Sequence, residues 1–355
     1  MTHNNHVVIL GPSETRNYFG GVAIFCEGVA RASSEITGRS LLLNTEEHQQ
    51  YVDGEMTERS DHGWLRFFSK LISAVRRQPE LIVLQLQYGL LAPLIRLLAP
   101  SHCRIFFYAH GFPPASYSWI RRNGILLAYR VGRAFSGQFL ANSSYTASIL
   151  EAVWGFKVDK TVNPSVSEAF LKELTNADHS AKTKAPQHFL YIGRITREKG
   201  LEDIIQCLSL LSLEGACLDV IGDGPELAHV EAFARNAKVK VNFLGRMTQQ
   251  GVANALTTYR SFVSANRHEP YGITYAEAAL SGCHVYCPPS GGQIDIARLM
   301  PGHFTFIDFQ QGTTAAQELE SSLRLRLNSP APAPSPDPGI AEKFHYRECA
   351  RQLLS

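Results

Sequence analysis

Apolar residues are spaced along this chain in two alternating rhythms. Short continuous runs of strand length appear at "HVVILG" (6–11), "SLLLN" (40–44), "LIVLQLQ" (81–87), "RIFFYAH" (104–110), "GQFLANS" (137–143) and "KTVNPS" (160–165). Between several of them apolar positions recur at helical spacing, as in "VAIFCEGVARAS" (22–33) and Trp64 to Arg77. Buried strands alternating with helices predict βαβ units around a mainly parallel sheet. The polar stretch "ELTNADHSAKTKAP" (173–186) interrupts this rhythm and reads as a linker. The alternation then restarts, with strands at "HFLYIGR", "CLDVIGDG", "VNFLG", "SFVSAN" and "HVYCPP" and a helix over "GLEDIIQCLSLL". No short-period repeat stands out. "PAPAPSPDP" (330–338) reads as an extended spacer, and "IAEKFHYRECARQLL" behind it as an amphipathic helix.

The chain is therefore expected to be α/β, with two Rossmann-like doubly wound domains facing a central cleft. The first domain covers 1–170, a linker 171–186, the second domain 187–329, and 330–355 returns as a closing helix packed on the first. In open parallel sheets ligands bind beyond the carboxyl ends of the strands. The unusual residues collect there: "NYFGG" after the first strand, "YAHG" at His110, "GRITREKG" at Arg194 and Lys199, "GDGPE" at Gly222 and Gly224, and "HEPYG" after "SFVSAN".

Bulk properties narrow the picture less. The 355 residues are 45% hydrophobic and 19% charged, an ordinary globular composition. A formal net charge of +2 argues against general nucleic-acid binding. The charge is unevenly placed, since His62 to Leu150 holds ten Lys/Arg and one acid, Glu80. Seven cysteines without a CxxC pair or a metal-ligand spacing read as reduced thiols, and no metal site is expected at Cys283 and Cys287. The N-terminus lacks the architecture of a signal peptide, and no apolar run reaches the ~20 residues that span a bilayer.

Each candidate group has a functional and a bland reading. Arg194 and Lys199, around a turn and a helix start, suit a pyrophosphate; a solvated charged turn is the alternative. "GDGPEL" lacks the third glycine of a dinucleotide fingerprint, which leaves a base-accepting turn or a plain strand-to-helix turn. Gly20 and Gly21 allow close approach of backbone to a ligand or simply make a tight turn. A lone His110 is more often structural than catalytic. In "HEPYGITYAEAALSG", Pro270 keeps Glu269 out of helical geometry, and a helix should run from Ile273 to Gly282. Glu269 then precedes a helix N-terminus and Glu277 lies one to two turns inside, where a carboxylate could accept from a vicinal diol. Ion pairs with the basic segment are the structural alternative. A two-carboxylate glycosidase fits poorly, because nothing else resembles a sugar-hydrolase barrel.

Taken together, "GRITREKG", "GDGPE", "FLGRM" and "EPYGITYAEAALSG" resemble the family-4 retaining glycosyltransferases of the GT-B fold. The likeness is dense from His188 to Gly292. It is thinner earlier, where "NYFGGVAIF", "YAHG", "ANSSYT" and "VNPSV" follow the family's order. The resemblance implies that Glu277 binds the donor ribose and that Glu269 faces the transferred sugar, with backbone N–H groups of Tyr271, Gly272 and Ile273 near sugar and phosphate. It further implies that Arg194 and Lys199 hold the pyrophosphate, that Gly20 and Gly21 close over it, and that His110 lies near the sugar. Tyr271 stands where the family more often has phenylalanine, and Asp295 in "GGQID" where it often has glutamate.

The expected protein is thus a retaining, metal-independent hexosyltransferase of surface polysaccharide or lipopolysaccharide synthesis. Its donor would be a UDP- or GDP-linked sugar, acting as substrate with no cofactor, and its acceptor a saccharide or a lipid-linked saccharide. The expected location is cytoplasmic. "SWIRRNGILLAYRVGRAF" mixes arginines with aromatics and suits either peripheral contact with an anionic membrane face or a helix with a solvated side. A sugar-nucleotide epimerase, a phosphorylase or a non-catalytic nucleotide-sugar-binding protein are the alternatives.

Overall fold

The computed structural model describes residues 6–14, 21–113, 117–176, 184–327 and 338–355. They form two compact units, one of Met1–Ser167 with His345–Ser355, the other of Glu168–Phe344.

The first unit holds eight strands: β1 (His6–Leu10), β2 (Arg39–Leu43), β3 (Glu47–Val52), β4 (Glu55–Asp61), β5 (Leu81–Gln85), β6 (Arg104–Ala109), β7 (Gln138–Ala141) and β8 (Lys160–Thr161). Their order is β4-β3-β2-β1-β5-β6-β7-β8. All neighbours are parallel except at the edge, where β3 runs antiparallel to β2 and β4 to β3. Strand alternation sends Val8, Leu10, Ile82, Leu84, Ile105, Phe107 and Phe139 to one face. That face is covered by α2 (Trp64–Arg76), α3 (Ala92–Leu98), α4 (Trp119–Phe135) and α5 (Ser144–Trp154). The intervening residues, Val7, Ile9, Leu81, Val83, Phe106, Tyr108 and Leu140, meet α1 (Gly21–Thr37) and the C-terminal helix Tyr346–Leu354 on the other face.

The β3–β4 hairpin lay outside the apolar pattern. Every residue of β4 is exposed, and β3 buries Glu47, His48 and Gln49 rather than aliphatic side chains. Its signal was the turn instead. Asp53 and Gly54 both have positive φ, 48° and 86°, as a two-residue Asp-Gly hairpin requires.

The second unit begins with α6 (Glu168–Asn176), which occupies the first part of the segment expected as linker. Phe170 and Leu174 are buried, so this helix is packed rather than extended. Six parallel strands follow: β9 (His188–Ile192), β10 (Cys217–Ile221), β11 (Lys240–Gly245), β12 (Ser261–Val263), β13 (His284–Cys287) and β14 (Phe304–Phe306). They are ordered β11-β10-β9-β12-β13-β14, the Rossmann arrangement, with its reversal between β9 and β12. One face packs on α7 (Leu201–Ser209), α8 (Leu227–Ala234) and, further along the chain, the helix Thr313–Leu327. The remaining helices of this unit are α9 (Gln249–Thr258), α10 (Ile273–Leu280), α11 (Gln293–Leu299), α12 (Thr313–Leu327) and α13 (Pro338–Lys343); the C-terminal helix of the first unit is α14. The spacer and most of the remaining linker lie outside the described residues.

Candidate functional site

The reversal of strand order in the second sheet separates the loops leaving β9 and β12, so a ligand pocket is expected there. The loop after β9 carries Arg194 and Lys199, and the loop after β12 carries Asn266 and Glu269. Lys199 lies on a 3-10 turn, Arg197–Lys199, closed by Gly200 with φ 64°, and α7 begins only at Leu201. It therefore precedes the helix it was expected to enter. The two loops are close together, since a Cβ on Gly200 would stand 2.9 Å from that of Ala265.

Lys199 Nζ meets Glu269 Oε2 at 2.5 Å, and Asn266 Nδ2 donates to the same oxygen at 2.8 Å. The Glu269 side chain is only 16% exposed. Burial pushes its carboxyl pKa up, but the Lys199 charge and the hydrogen bonds from Lys199 and Asn266 outweigh that and hold it below its ordinary value. Asn266 was missed by sequence reasoning. It is buried at the strand end and also accepts from His268 N–H, so it fixes the loop that presents Glu269.

Arg194 is exposed, and its guanidinium has no acceptor among the described residues. The loop it sits on is braced by backbone. Gly193 N–H donates to Ile221 O at 3.0 Å and Ile195 N–H to Asp223 O at 2.9 Å. A Cβ on Gly222 would lie 1.9 Å from Gly193 O, and one on Gly224 2.1 Å from Ile195 O. The two glycines of "GDG" thus let the β10 loop pack against the β9 loop, a structural use of both positions.

The helix expected from Ile273 is α10, with Gly272 as its N-cap at φ 89° and no side-chain cap. No side chain among the described residues caps its first N–H groups, an arrangement that suits an anion. The preceding loop is anchored by Gly292 N–H donating to Glu269 O at 2.8 Å, and Tyr271 is buried. Glu277 lies one turn in, half-buried. Among the described residues no donor reaches its carboxylate, and burial pushes its pKa up to about 8.

The first unit has its own reversal, between β1 and β5. His110, just past β6, stands beside it, with Nε2 2.5 Å from Gln85 Oε1, which also accepts from Cys26 Sγ at 3.0 Å. Burial drives the His110 pKa down to about 3, so the ring is neutral. Gln85 is fully buried at the end of β5 and is followed by Leu86 with φ 51°. Nothing in the local sequence marked it. Gly21 opens α1 and is exposed, while Gly20 lies outside the described residues. Among the described residues no group of three His, Cys, Asp or Glu is placed to hold a metal. No helix among them is long and apolar enough to cross a membrane.

Two Rossmann-like units of this kind define the GT-B fold of glycosyltransferases. Residues 174–300 match the family described as "Glycosyl transferases group 1". Among curated proteins, the chain is 29% identical over 143 residues to "Uncharacterized glycosyltransferase YqgM" of Bacillus subtilis; the match covers 39% of this chain and 40% of that one. The chain therefore spans about two fifths of the length of that relative. Among solved structures, sucrose-phosphate synthase from Thermosynechococcus elongatus superposes with a TM-score of 0.67 at 15% identity, covering 99% of this chain and 95% of that one. HepE from Anabaena, in complex with UDP-glucose, superposes with a TM-score of 0.62 at 13% identity, covering 98% of each.

Proposed function

We propose that this protein is a retaining glycosyltransferase that moves a hexose from a nucleoside-diphosphate sugar to a hydroxyl of a saccharide or lipid-linked acceptor. The observation that carries the reading is the grouping in the second unit. A Lys199–Glu269 pair, an Arg194 guanidinium without an acceptor among the described residues, and a helix start without a side-chain cap all belong to loops at the carboxyl edge of one sheet, inside the stretch that matches the glycosyltransferase family. The site works by charge. As the bond from the anomeric carbon to the leaving oxygen breaks, negative charge grows on the diphosphate, and cations and N–H groups already in place lower that barrier. Arg194 and Lys199 take this role, with the N–H groups of Tyr271 to Ile273 near the phosphate. Glu277 takes the ribose diol, and Glu269 orients the sugar while holding Lys199. The acceptor oxygen bonds to the same face of the anomeric carbon, and its proton passes to the leaving phosphate. No metal and no cofactor enters the scheme; the donor is UDP- or GDP-linked.

We assign the acceptor to surface polysaccharide or lipopolysaccharide synthesis at the inner face of the plasma membrane. Support comes from α4, where Trp119 and Ile120 are 75% and 78% exposed beside exposed Arg121 and Arg130. At the start of α2, Trp64 and Leu65 are 65% and 90% exposed next to Arg66. Apolar and basic side chains together suit an anionic lipid face.

The test uses UDP-, GDP- and ADP-sugars in a thermal-shift screen, followed by acceptor assays with product anomers assigned by NMR. One donor should raise the melting temperature by mass action, and its sugar should appear in the product with unchanged configuration. Arg194→Ala should cut turnover by roughly 10²–10³-fold while leaving stability within about 0.5 kcal/mol, since its side chain is exposed and has no partner among the described residues. Lys199→Ala should cost activity and also about 1–3 kcal/mol, because Glu269 would stay part-buried beside Asn266 alone. A near-wild-type rate for Arg194→Ala removes its leaving-group role.

A further inference from the structure

A charged cavity lies in the first unit, on the face of its sheet that α2 covers, and reaches the amino ends of β1 and β2. It has a volume of about 260 Å³, and its lining includes His6, Arg39, His48, Glu58, Lys70 and Arg77. Its construction follows from two periodicities. His6 and Arg39 are register partners at the first rung of the β1–β2 ladder. Alternation turns them to the side of Val8 and Leu41, which is the side α2 covers. On α2 and its C-cap, Lys70, Ser73 and Arg77 stand at i, i+3 and i+7, a single helical stripe facing the same space.

The charges in this cavity do not balance internally. His48 Nδ1 faces the Ser60 carbonyl at 3.1 Å, so that nitrogen carries a proton, while Nε2 is 2.9 Å from both Lys70 Nζ and Glu58 Oε1. Lys70 and Glu58 thus offset one another across a buried imidazole. Arg39 and Arg77 are left, and neither guanidinium has an acceptor among the described residues. Both side chains are exposed to solvent and line the recess, which leaves their donors open to an anion. Burial first, and then the nearby Arg77 and Arg39 charges, hold the pKa of His6 down to about 4. Guanidinium groups suit a phosphate, because each offers a planar fork of donors.

We infer that this cavity is a second anion site, taking a phosphate monoester or inorganic phosphate between Arg39 and Arg77, with His6 as an additional neutral donor. The volume lies just under the roughly 300 Å³ at which drug-sized pockets begin, so the ligand is a small phosphate rather than a nucleotide. The site is separate from the loops assigned to the donor and uses none of their residues.

Calorimetric titration with inorganic phosphate and with glycerol 3-phosphate, at constant ionic strength, tests the assignment. One saturable site per chain is expected, and Arg39→Ala/Arg77→Ala should weaken it by at least about tenfold. In the wild-type protein, NMR titration of His6 should give a higher pKa with phosphate bound, which needs no variant to fold. Arg39→Lys/Arg77→Lys keeps the charge but loses the forks, and should retain partial binding. Vesicles carrying phosphatidic acid identify the source. If they compete with soluble phosphate and lose binding in the double variant, the phosphate is borne by a lipid headgroup; if they do not compete, it is a free metabolite. Absence of saturable binding at millimolar phosphate, a His6 pKa unmoved by phosphate, or equal affinity in the Arg39→Ala/Arg77→Ala protein would each overturn the site.

Discussion

Two carboxylates eight residues apart in sequence are kept in opposite states by their neighbours. Glu269 has Lys199 and Asn266 on one oxygen and stays ionised. Glu277 has burial and, among the described residues, no donor, and holds its proton up to about pH 8. This difference has a consequence for stability. In the unfolded chain Glu277 loses its proton near its ordinary 4.5, whereas in the folded protein it keeps it to about 8. Between those limits the folded state binds more protons, so this residue makes stability fall as pH rises. Urea unfolding of the ligand-free protein and of Glu277→Gln at pH 5, 6.5 and 8 reads the effect. The variant should gain relative to wild type at each step upward. A constant difference across the series would mean that Glu277 is already ionised. The acids themselves were legible as unusual residues. Which one stays charged was not, because Lys199 is 70 positions from Glu269 in sequence.

At the level of elements, strand rhythm predicted most of both sheets, because strands buried on both faces leave continuous apolar runs. It failed where that cause was absent. The exposed β4 has no apolar face to show, and β14 is three residues long. The glycine turns behaved differently again. "GDG" read equally as a base-accepting turn and a plain one, and the structure gives both glycines a packing role against the β9 loop. Gly222→Ala should therefore be severe. Its φ is 148°, and the added Cβ would fall 1.9 Å from Gly193 O, a backbone atom that cannot swing aside. A loss of roughly 3 kcal/mol or more is expected in denaturant unfolding. Gly302→Ala, whose Cβ would meet nothing within 4 Å, should stay within about 0.5 kcal/mol. Comparable losses in the two variants would remove the packing argument.

Across the whole chain, the division into units does not follow sequence order. α14 comes last but belongs to the first unit, where Tyr346, Cys349, Ala350 and Leu353 complete the core around α1. Lys160 Nζ donates to Gln352 O at 2.6 Å, Arg104 donates to Leu354 O at 2.6 Å, and Arg347 pairs with Glu35. Truncation after Phe344 should strip about 5 kcal/mol or more from the first unit, the scale of several buried side chains. Calorimetry should show the transition of the first unit lowered or lost and that of the second unchanged. A single transition shifted as one would show that the two units unfold together.

The sequence by itself determined the α/β class, the two doubly wound sheets and the positions of the candidate loops. Each of these leaves a local trace, in side-chain period or in glycine and proline placed at a turn. The single closing helix expected over 340–354 is instead broken at Phe344, and only α14 joins the first unit. Tertiary structure alone decided which side chains meet. It paired Lys199 with Glu269, left Glu277 and Arg194 without partners among the described residues, buried Gln85 against His110, and brought Arg39 and Arg77 to the lining of one cavity. Charge state and hydrogen bonding depend on distances of a few ångströms between groups far apart in the chain, and neither periodicity nor spacing records those distances.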